Sequence, residues 1–483
     1  MTNSTRSAFA DGGPLSPSLE MFARSRRVPR ASRPIRVCHL GKFYPPHWGG
    51  IETHVRLLAR AQVEAGASVR VICVNHLDES GSNVLDRNLT RTPTTEEHDG
   101  AVHVVRLGRP LSMAKLDVCP DLMRVLGDLR RDPVDIVHLH VPNPLMLLGL
   151  ALLPPPTPLV VSYHSDVVHQ KVLGKALRPF ERWGLTRAAR ILTTSPPYAS
   201  GSPLLGEFAS KIEVVPLSVD LSAFTSPSPA ARQHADELRR RYGAPLWLSV
   251  GRLVPYKAHA VALEALRHAP GRLMIVGDGP LETKLRHRAQ ELGVADRVIW
   301  RGAISDAELV GSYHAATALW FPSNARSEAF GLVQVEAMAS GCPVINCSVP
   351  DSGVAWVSQH EKTGLTVPRD DPGALAAAAR RLLDDPSLAA RLRANDVPIS
   401  PDGRISIEGA VNARRGVSLN GQSVSVAGRI TANAAPVDIA ERRERQRAAF
   451  AQSVNTTGLR RGGAMVARKG GGTEILAAGT ASI

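Results

Sequence analysis

Aromatic residues make up only 4% of this 483-residue sequence, and no stretch reaches the ~20 consecutive apolar residues that a membrane-spanning helix needs. The longest apolar run, LMLLGLALL at 145–153, meets Pro154, Pro155 and Pro156. It reads as a buried helix, with a shallow membrane contact as the alternative. Residues 1–33 lack the apolar stretch of a secretory leader. The five cysteines, Cys38, Cys73, Cys119, Cys342 and Cys347, are odd in number, and four sit in or beside apolar strand-like runs. That pattern fits reduced core residues of a cytosolic protein and argues against a disulfide framework. No helix-turn-helix, zinc-finger or RNP-type motif accompanies the basic charge, so nucleic acid is not the expected partner.

The apolar fraction of 43% and charged fraction of 21% are those of a globular protein and exclude disorder throughout. A formal net charge of +14 suits an anionic partner such as a phosphorylated small molecule or a phospholipid surface. Much of the excess is Arg in RSRRVPRASR near the N-terminus and in the last hundred residues, where a solvated tail and a binding patch are both open readings.

The length exceeds one hydrophobic core and fits two α/β domains with a remainder. After a basic, disordered leader (1–33), apolar runs at 35–40, 68–74, 102–107, 135–141, 159–165 and 190–195 alternate with amphipathic segments. Such strands, apolar on both faces and separated by helices, predict a doubly wound parallel sheet over 34–230. A second series at 245–251, 272–279, 297–302, 318–323 and 343–347 predicts another over 231–395. The fold class is therefore α/β, two Rossmann-like domains facing across a cleft between strand carboxyl ends. From 396 to 483 the texture changes to period-two alternation with recurring Gly and Asn, then to RKGGGTEILAAGTASI; this tail reads as β-prone or disordered.

The chemistry is expected at strand ends. Gly49 and Gly50 follow the first strand and open a helix, where the backbone can approach an anion and free N–H groups favour phosphate; a plain tight turn is the competing reading. Arg252 and Lys257, in SVGRLVPYKAHA, follow a strand of the second series and can neutralise a diphosphate, Arg as a bidentate fork and Lys as a point charge. Gly277 and Gly279 of VGDGP add a third, weaker loop. RSEAFGLVQVEAM (326–338) carries Glu328 and Glu336. A helix starting near Gly331 places Leu332, Val335, Glu336 and Ala339 on one stripe, so Glu336 is expected on the apolar face with ligand hydroxyls as partners. A glycosidase acid pair is disfavoured, since both acids belong to one short segment amid phosphate-type loops. His164 ends a first-domain strand, two residues before Asp166, and can bond a sugar hydroxyl. His138 and His140 alternate on one strand, but no third ligand at a suitable spacing appears, so no metal site is expected.

Taken in order, the Gly-Gly loop, YHSD, VGRLVPYK, VGDGP and EAFGLVQVE resemble the retaining glycosyltransferases of family 4, with the GT-B fold, over about 34–395. YHSDVVHQK and SEAFGLVQVEAMASGCPVI are most similar to enzymes building O-antigen or other surface polysaccharides. The resemblance implies a metal-independent hexosyltransferase that moves a hexose, mannose being the first candidate, from a GDP- or UDP-sugar to a lipid-linked glycan. The nucleotide sugar is a co-substrate and no cofactor is expected. It further implies that Gly49, Gly50, Arg252 and Lys257 serve the donor diphosphate, with the backbone of Phe330, Gly331, Leu332 and Val333. Glu336 is assigned the ribose, and Glu328 and His164 the transferred sugar.

The expected location is the cytoplasm, with peripheral contact on the inner, anionic face of the plasma membrane. Two departures stand out. Ala258 follows the lysine where the family usually has Gly, and neither the F-x-W type segment nor the terminal helix that crosses back to the first domain follows Asn395. The tail instead resembles, weakly, repeats of filamentous-haemagglutinin-type adhesins. A catalytically impaired fusion or frameshifted product is thus one alternative, and a nucleotide-sugar epimerase of similar architecture another.

Overall fold

The two series of apolar runs form two parallel sheets. A computed structural model describes residues 33–394 apart from 48, 78–89, 114–115, 166–170 and 218, so Asp166, the leader up to residue 32 and the tail from 396 lie outside the described residues. All described residues belong to one compact unit.

The first part of the chain supplies β1 (Arg36–Leu40), β2 (Ser68–Val74), β3 (Thr95–Asp99), β4 (Val102–Leu107), β5 (Leu111–Met113), β6 (Leu116–Val118), β7 (Ile136–Val141), β8 (Leu159–Tyr163), β9 (Ala188–Thr193) and β10 (Ile212–Val214). Eight of these form a sheet in the order β10-β9-β8-β7-β1-β2-β4-β3, while β5 and β6 pair separately. Its ladders are parallel except that of β3 with β4. Helices α1 (Gly50–Glu64), α2 (Asp121–Arg131), α3 (Pro144–Leu152) and α4 (Lys171–Arg187) connect the strands. The apolar run at 145–153 is α3, capped by Asn143, whose side chain accepts from the Met146 N–H. Met146, Leu147 and Leu150 are buried in it, and Leu152 at its end is 74% exposed.

The second sheet comprises β11 (Leu246–Val250), β12 (Arg272–Val276), β13 (Val298–Gly302), β14 (Ala318–Phe321), β15 (Val344–Ser348) and β16 (Gly364–Pro368), ordered β13-β12-β11-β14-β15-β16 and parallel throughout. Around it lie α5 (Pro229–Tyr242), α6 (His259–Leu266), α7 (Glu282–Glu291), α8 (Asp306–Ala315), α9 (Leu332–Ala339), α10 (Pro372–Asp384) and α11 (Pro386–Ala394). α8 opens on a reciprocal cap: Ser305 accepts from the Glu308 N–H, and the Glu308 carboxylate accepts from the Ser305 N–H.

Helices on both faces bury strands such as β11, where all five residues are buried. Each fully buried Val, Leu or Ile contributes about 1.5–3 kcal/mol relative to exposure. All five cysteines are unpaired and buried, in line with their reading as core residues.

β3, β5, β6, β10 and β16 were not among the expected strands. β3 is TEEHD, an antiparallel edge strand mostly open to solvent, so no apolar run marks it. In each sheet the first strand has neighbours reached by opposite windings, β2 and β7 around β1, β12 and β14 around β11. Ligands in open α/β sheets bind beyond such switch points. The loops carrying Gly49–Gly50 and residues 322–331 start at these ends.

Candidate active site

After β11 the chain makes a single tight turn, Pro255–Lys257, that aims Lys257 back beneath the sheet end. Its Nζ lies 2.5 Å from Oε2 of Glu328 and 5.1 Å from the Phe321 ring centre. Burial works against the ammonium, but the charges of Glu328, Tyr256 and Glu336 outweigh it and hold the pKa above the ordinary lysine value. Lys257 is therefore a fixed cation. Ala258 follows with φ 51° and ψ 35°, in the left-handed region. That conformation explains why glycine suits this position and alanine is strained in it.

The segment after β14 is held rigidly. Ser323 Oγ donates to Glu328 Oε2 at 3.3 Å, and Ser352 Oγ donates to the Glu328 carbonyl at 2.5 Å. Gly331 takes φ 79°, and a Cβ there would lie 2.9 Å from Phe321 ring carbons. The turn sends the chain into α9, whose first backbone N–H groups, those of Leu332 and Val333, lack intrahelical acceptors by construction. Phe330 is buried, 6.3 Å from the Trp356 ring. Gln334 anchors the helix from below, donating to the Phe330 carbonyl and accepting from Asn346 Nδ2 at 2.8 Å.

Leu332 and Glu336 are i, i+4 neighbours on α9, as the expected stripe has them. α9 is buried nearly all round, on Leu332, Gln334, Val335, Ala337 and Met338, while Val333, Glu336 and Ala339 form its half-buried face. Glu336 is thus half-buried, lying on the helix between buried Leu332 and the less buried Val333. Its Oε2 accepts from Tyr313 O–H at 2.8 Å. Burial raises its pKa, opposed by that hydrogen bond and by Lys257.

In the first domain Gly49 caps α1 and Gly50 begins it. A side chain on Gly49 would collide with the carboxylate of Glu52, and one on Gly50 would lie 3.7 Å from Leu332 Cδ1. The Gly-Gly turn and the start of α9 therefore approach each other across the cleft. Burial raises the Glu52 pKa, and its own backbone N–H, Arg252 and Lys42 counter it, so Arg252 reaches the field of this turn. Further along the cleft, Arg326 of the second domain donates to the carbonyls of Tyr198 and Asp351, at 2.8 and 2.7 Å.

His164 sits directly after β8, its N–H bonded to the Val141 carbonyl. Its Nε2 lies 3.0 Å from His140 Nδ1, and the His54 ring stands edge-on at 5.4 Å. Below them, His140 Nε2 contacts His39 Nδ1 at 3.0 Å, His39 Nε2 contacts Gln62 Oε1 at 2.7 Å, and His138 Nε2 contacts Ser162 Oγ at 2.8 Å. The rings are buried, and burial lowers the pKa of His39 and His54 to about 4 and those of His138, His140 and His164 well below the usual value. The premise that His138 and His140 lack a third partner is corrected here: register places His39 opposite His138, and ring nitrogens of His39, His138 and His140 lie within 4.8 Å of one another. Spacing along one strand cannot reveal a ligand on its neighbour.

The structure thus brings Lys257, Glu328 and Glu336 into one electrostatic cluster, and Gly50 to Leu332. His164 makes its ring contacts within the first domain. Sequence reasoning missed Glu52, Tyr313, Arg326, His39 and Gln62. Only Glu52 carried a signal, an acid in the first helical turn after Gly-Gly.

Two Rossmann-like domains with cations, carboxylates and a helix N-terminus at facing strand ends define a GT-B glycosyltransferase. The chain belongs to the group 1 glycosyltransferases. Residues 232–396 match the family "Glycosyl transferases group 1", and 49–218 match the "Glycosyl transferase 4-like domain". It is 32% identical over 323 residues to the D-rhamnosyltransferase WbpZ of Pseudomonas aeruginosa, spanning 66% of this chain and 83% of that one. It is 27% identical to the O-antigen chain mannosyltransferase C of Escherichia coli, over 75% and 92% of the two chains. The fold is similar to Anabaena HepE solved with UDP-glucose, with TM-score 0.59 and 18% identity over 75% of this chain and 93% of that one. No helix among the described residues is long and apolar enough to cross a membrane.

Proposed function

We propose that this transferase moves a hexose from a nucleoside diphosphate sugar to a lipid-linked glycan, with retention of anomeric configuration and without a metal. The observation that carries the reading is the buried Lys257–Glu328 pair beside the N-terminus of α9. A fixed cation and free backbone N–H groups suit a leaving diphosphate, whose developing charge needs preorganised donors. Arg252, on the same side of the cleft as Lys257, and the Gly49–Gly50 turn, on the facing side, are placed to meet the same group. The C1–O bond to the β-phosphate breaks with its electron pair passing to the phosphate oxygen. The acceptor oxygen bonds to C1 on the same face, and its proton goes to that phosphate oxygen. Glu336 holds the ribose, and Glu328 and His164 hold hydroxyls of the sugar.

GDP-mannose is the first donor to try, since the O-antigen relative is a mannosyltransferase. Exposed Leu152, at the end of α3, and the arginines of neighbouring α2 favour an acceptor presented at an anionic membrane face. The test incubates the full chain with GDP-mannose, GDP-rhamnose, UDP-glucose and UDP-galactose and measures nucleoside diphosphate release with and without lipid-linked acceptor. Release by one donor that leaves sugar attached to acceptor with retained configuration is expected. Absence of binding and turnover with all four overturns the reading. Conversion of the nucleotide sugar without acceptor makes it an epimerase.

A further inference from the structure

We infer that Gln62, His39 and His140 form a buried hydrogen-bonded chain that fixes the tautomer of His164, so that its Nδ1 carries no proton and is offered as an acceptor to a donor-sugar hydroxyl. The inference rests on the proposed transferase reading only for the identity of that hydroxyl. The chain itself follows from geometry.

Three contacts in series, of 2.7, 3.0 and 3.0 Å, link Gln62 Oε1 to His39 Nε2, His39 Nδ1 to His140 Nε2, and His140 Nδ1 to His164 Nε2. A neutral imidazole carries one N–H and one lone pair, so each link dictates the next. The amide oxygen of Gln62 accepts, hence His39 carries its proton on Nε2. His39 Nδ1 then accepts from His140 Nε2–H, and His140 Nδ1 accepts from His164 Nε2–H. His164 is left with an unprotonated Nδ1, a buried atom without a protein partner.

The opposite polarity would run every proton the other way and strand an N–H on His164 Nδ1. A buried donor without an acceptor is rarer and costlier than an idle lone pair, so the fold favours the first arrangement. His54, edge-on to His164, also has a buried Nδ1 without a partner. Two neighbouring unpaired imidazole nitrogens, one directly after β8 and one on α1, point to a hydroxyl-bearing ligand. Gln62, His39 and His140 are positioning residues: they act through His164.

The test needs no substrate. The full chain labelled with 15N-histidine is examined by long-range proton–nitrogen correlation, with His164→Gln assigning the resonances. A pyrrole-type Nε2 and a pyridine-type Nδ1 are expected for His164. Gln62→Glu, which keeps an acceptor, should preserve that pattern, and Gln62→Met should mix the tautomers. A protonated Nδ1 in the wild type overturns the proposal, as does a His164 pattern indifferent to Gln62→Met. A stoichiometric metal held by His39 and His140 also overturns it, because it removes the shared proton. If Gln62→Met does not fold, the wild-type spectrum still decides the polarity.

With an active donor, Gln62→Met should lower kcat about tenfold, the worth of one hydrogen bond, with Gln62→Glu recovering most of it. Failure of every nucleotide sugar would remove the transferase reading and leave the tautomer result standing.

Discussion

Lys257 Nζ and Glu328 Oε2 meet at 2.5 Å with both side chains almost wholly buried. In the free protein each neutralises the other, which keeps a cation at the strand end without a counter-ion from solvent. Removing one partner of a buried pair leaves the other uncompensated and costs about 3–5 kcal/mol. Lys257→Met should therefore lower stability by about that amount in urea denaturation, and the double variant Lys257→Met/Glu328→Gln should recover most of it. Both variants should lose about 100- to 1,000-fold in nucleoside diphosphate release, the scale of a lost transition-state donor. A double variant no more stable than Lys257→Met would show that the pair is not the dominant interaction there.

Ala258 holds φ 51° directly after this lysine. Left-handed backbone costs an L-residue roughly 1–2 kcal/mol that glycine does not pay. Offsetting this, glycine loses more freedom on folding. Ala258→Gly should therefore stabilise the chain by about 0.5–1 kcal/mol, seen as a higher melting temperature. A lower melting temperature would mean that the Ala258 methyl, which is buried, contributes more packing than its backbone loses in strain.

What could be read from the sequence follows from burial. Parallel strands covered on both faces must be continuously apolar, so β1, β2, β4, β7, β8 and β9 stand out as runs, as do β11 to β15. β3 pairs through its backbone on a wet edge and needs no such run. The loops of the candidate site were legible because glycines, cations and acids cluster within a few residues of strand ends. His39 was not, because its histidine partners lie 99 to 101 residues away and are set by the register of β1 on β7. Tyr313 likewise meets Glu336 across 23 residues, and its phenol within α8 looks like any core aromatic.

Arg326 spans the two domains. Its guanidinium lies 4.0 Å from the Tyr198 ring centre and donates to the Tyr198 and Asp351 carbonyls. A cation–π contact with partial desolvation is worth about 1–2 kcal/mol, and two hydrogen bonds add to it. Arg326→Ala should shift the domains toward a more open arrangement, read as a larger radius of gyration in small-angle scattering. Donor KM should rise about tenfold while the far-ultraviolet circular dichroism stays unchanged. An unaltered radius and KM would show that the remaining contacts, including Thr194 Oγ1 with the Ala329 carbonyl, hold the closed arrangement alone.

Glu336 presents a conflict between stability and function. Burial raises its pKa, with the Tyr313 hydroxyl and Lys257 only partly offsetting it, so the ionised carboxylate is the costly form in the folded chain. A group whose folded pKa exceeds its unfolded value favours folding at low pH and withdraws that contribution as pH rises through the folded pKa. Glu336→Gln removes the titration while its amide oxygen still accepts from Tyr313. The variant should therefore be more stable than wild type at pH 8, by on the order of 0.5–1 kcal/mol, with the difference shrinking toward pH 4. With the ribose contact proposed for Glu336, its affinity for a nucleoside diphosphate should fall about tenfold, since an amide is a weaker partner than a carboxylate for hydroxyls. Thermal melts across that pH range, paired with calorimetric titration of GDP and UDP, measure both effects. A variant less stable than wild type at pH 8 would mean that Lys257 depends on this second carboxylate more than the fold suffers from burying it.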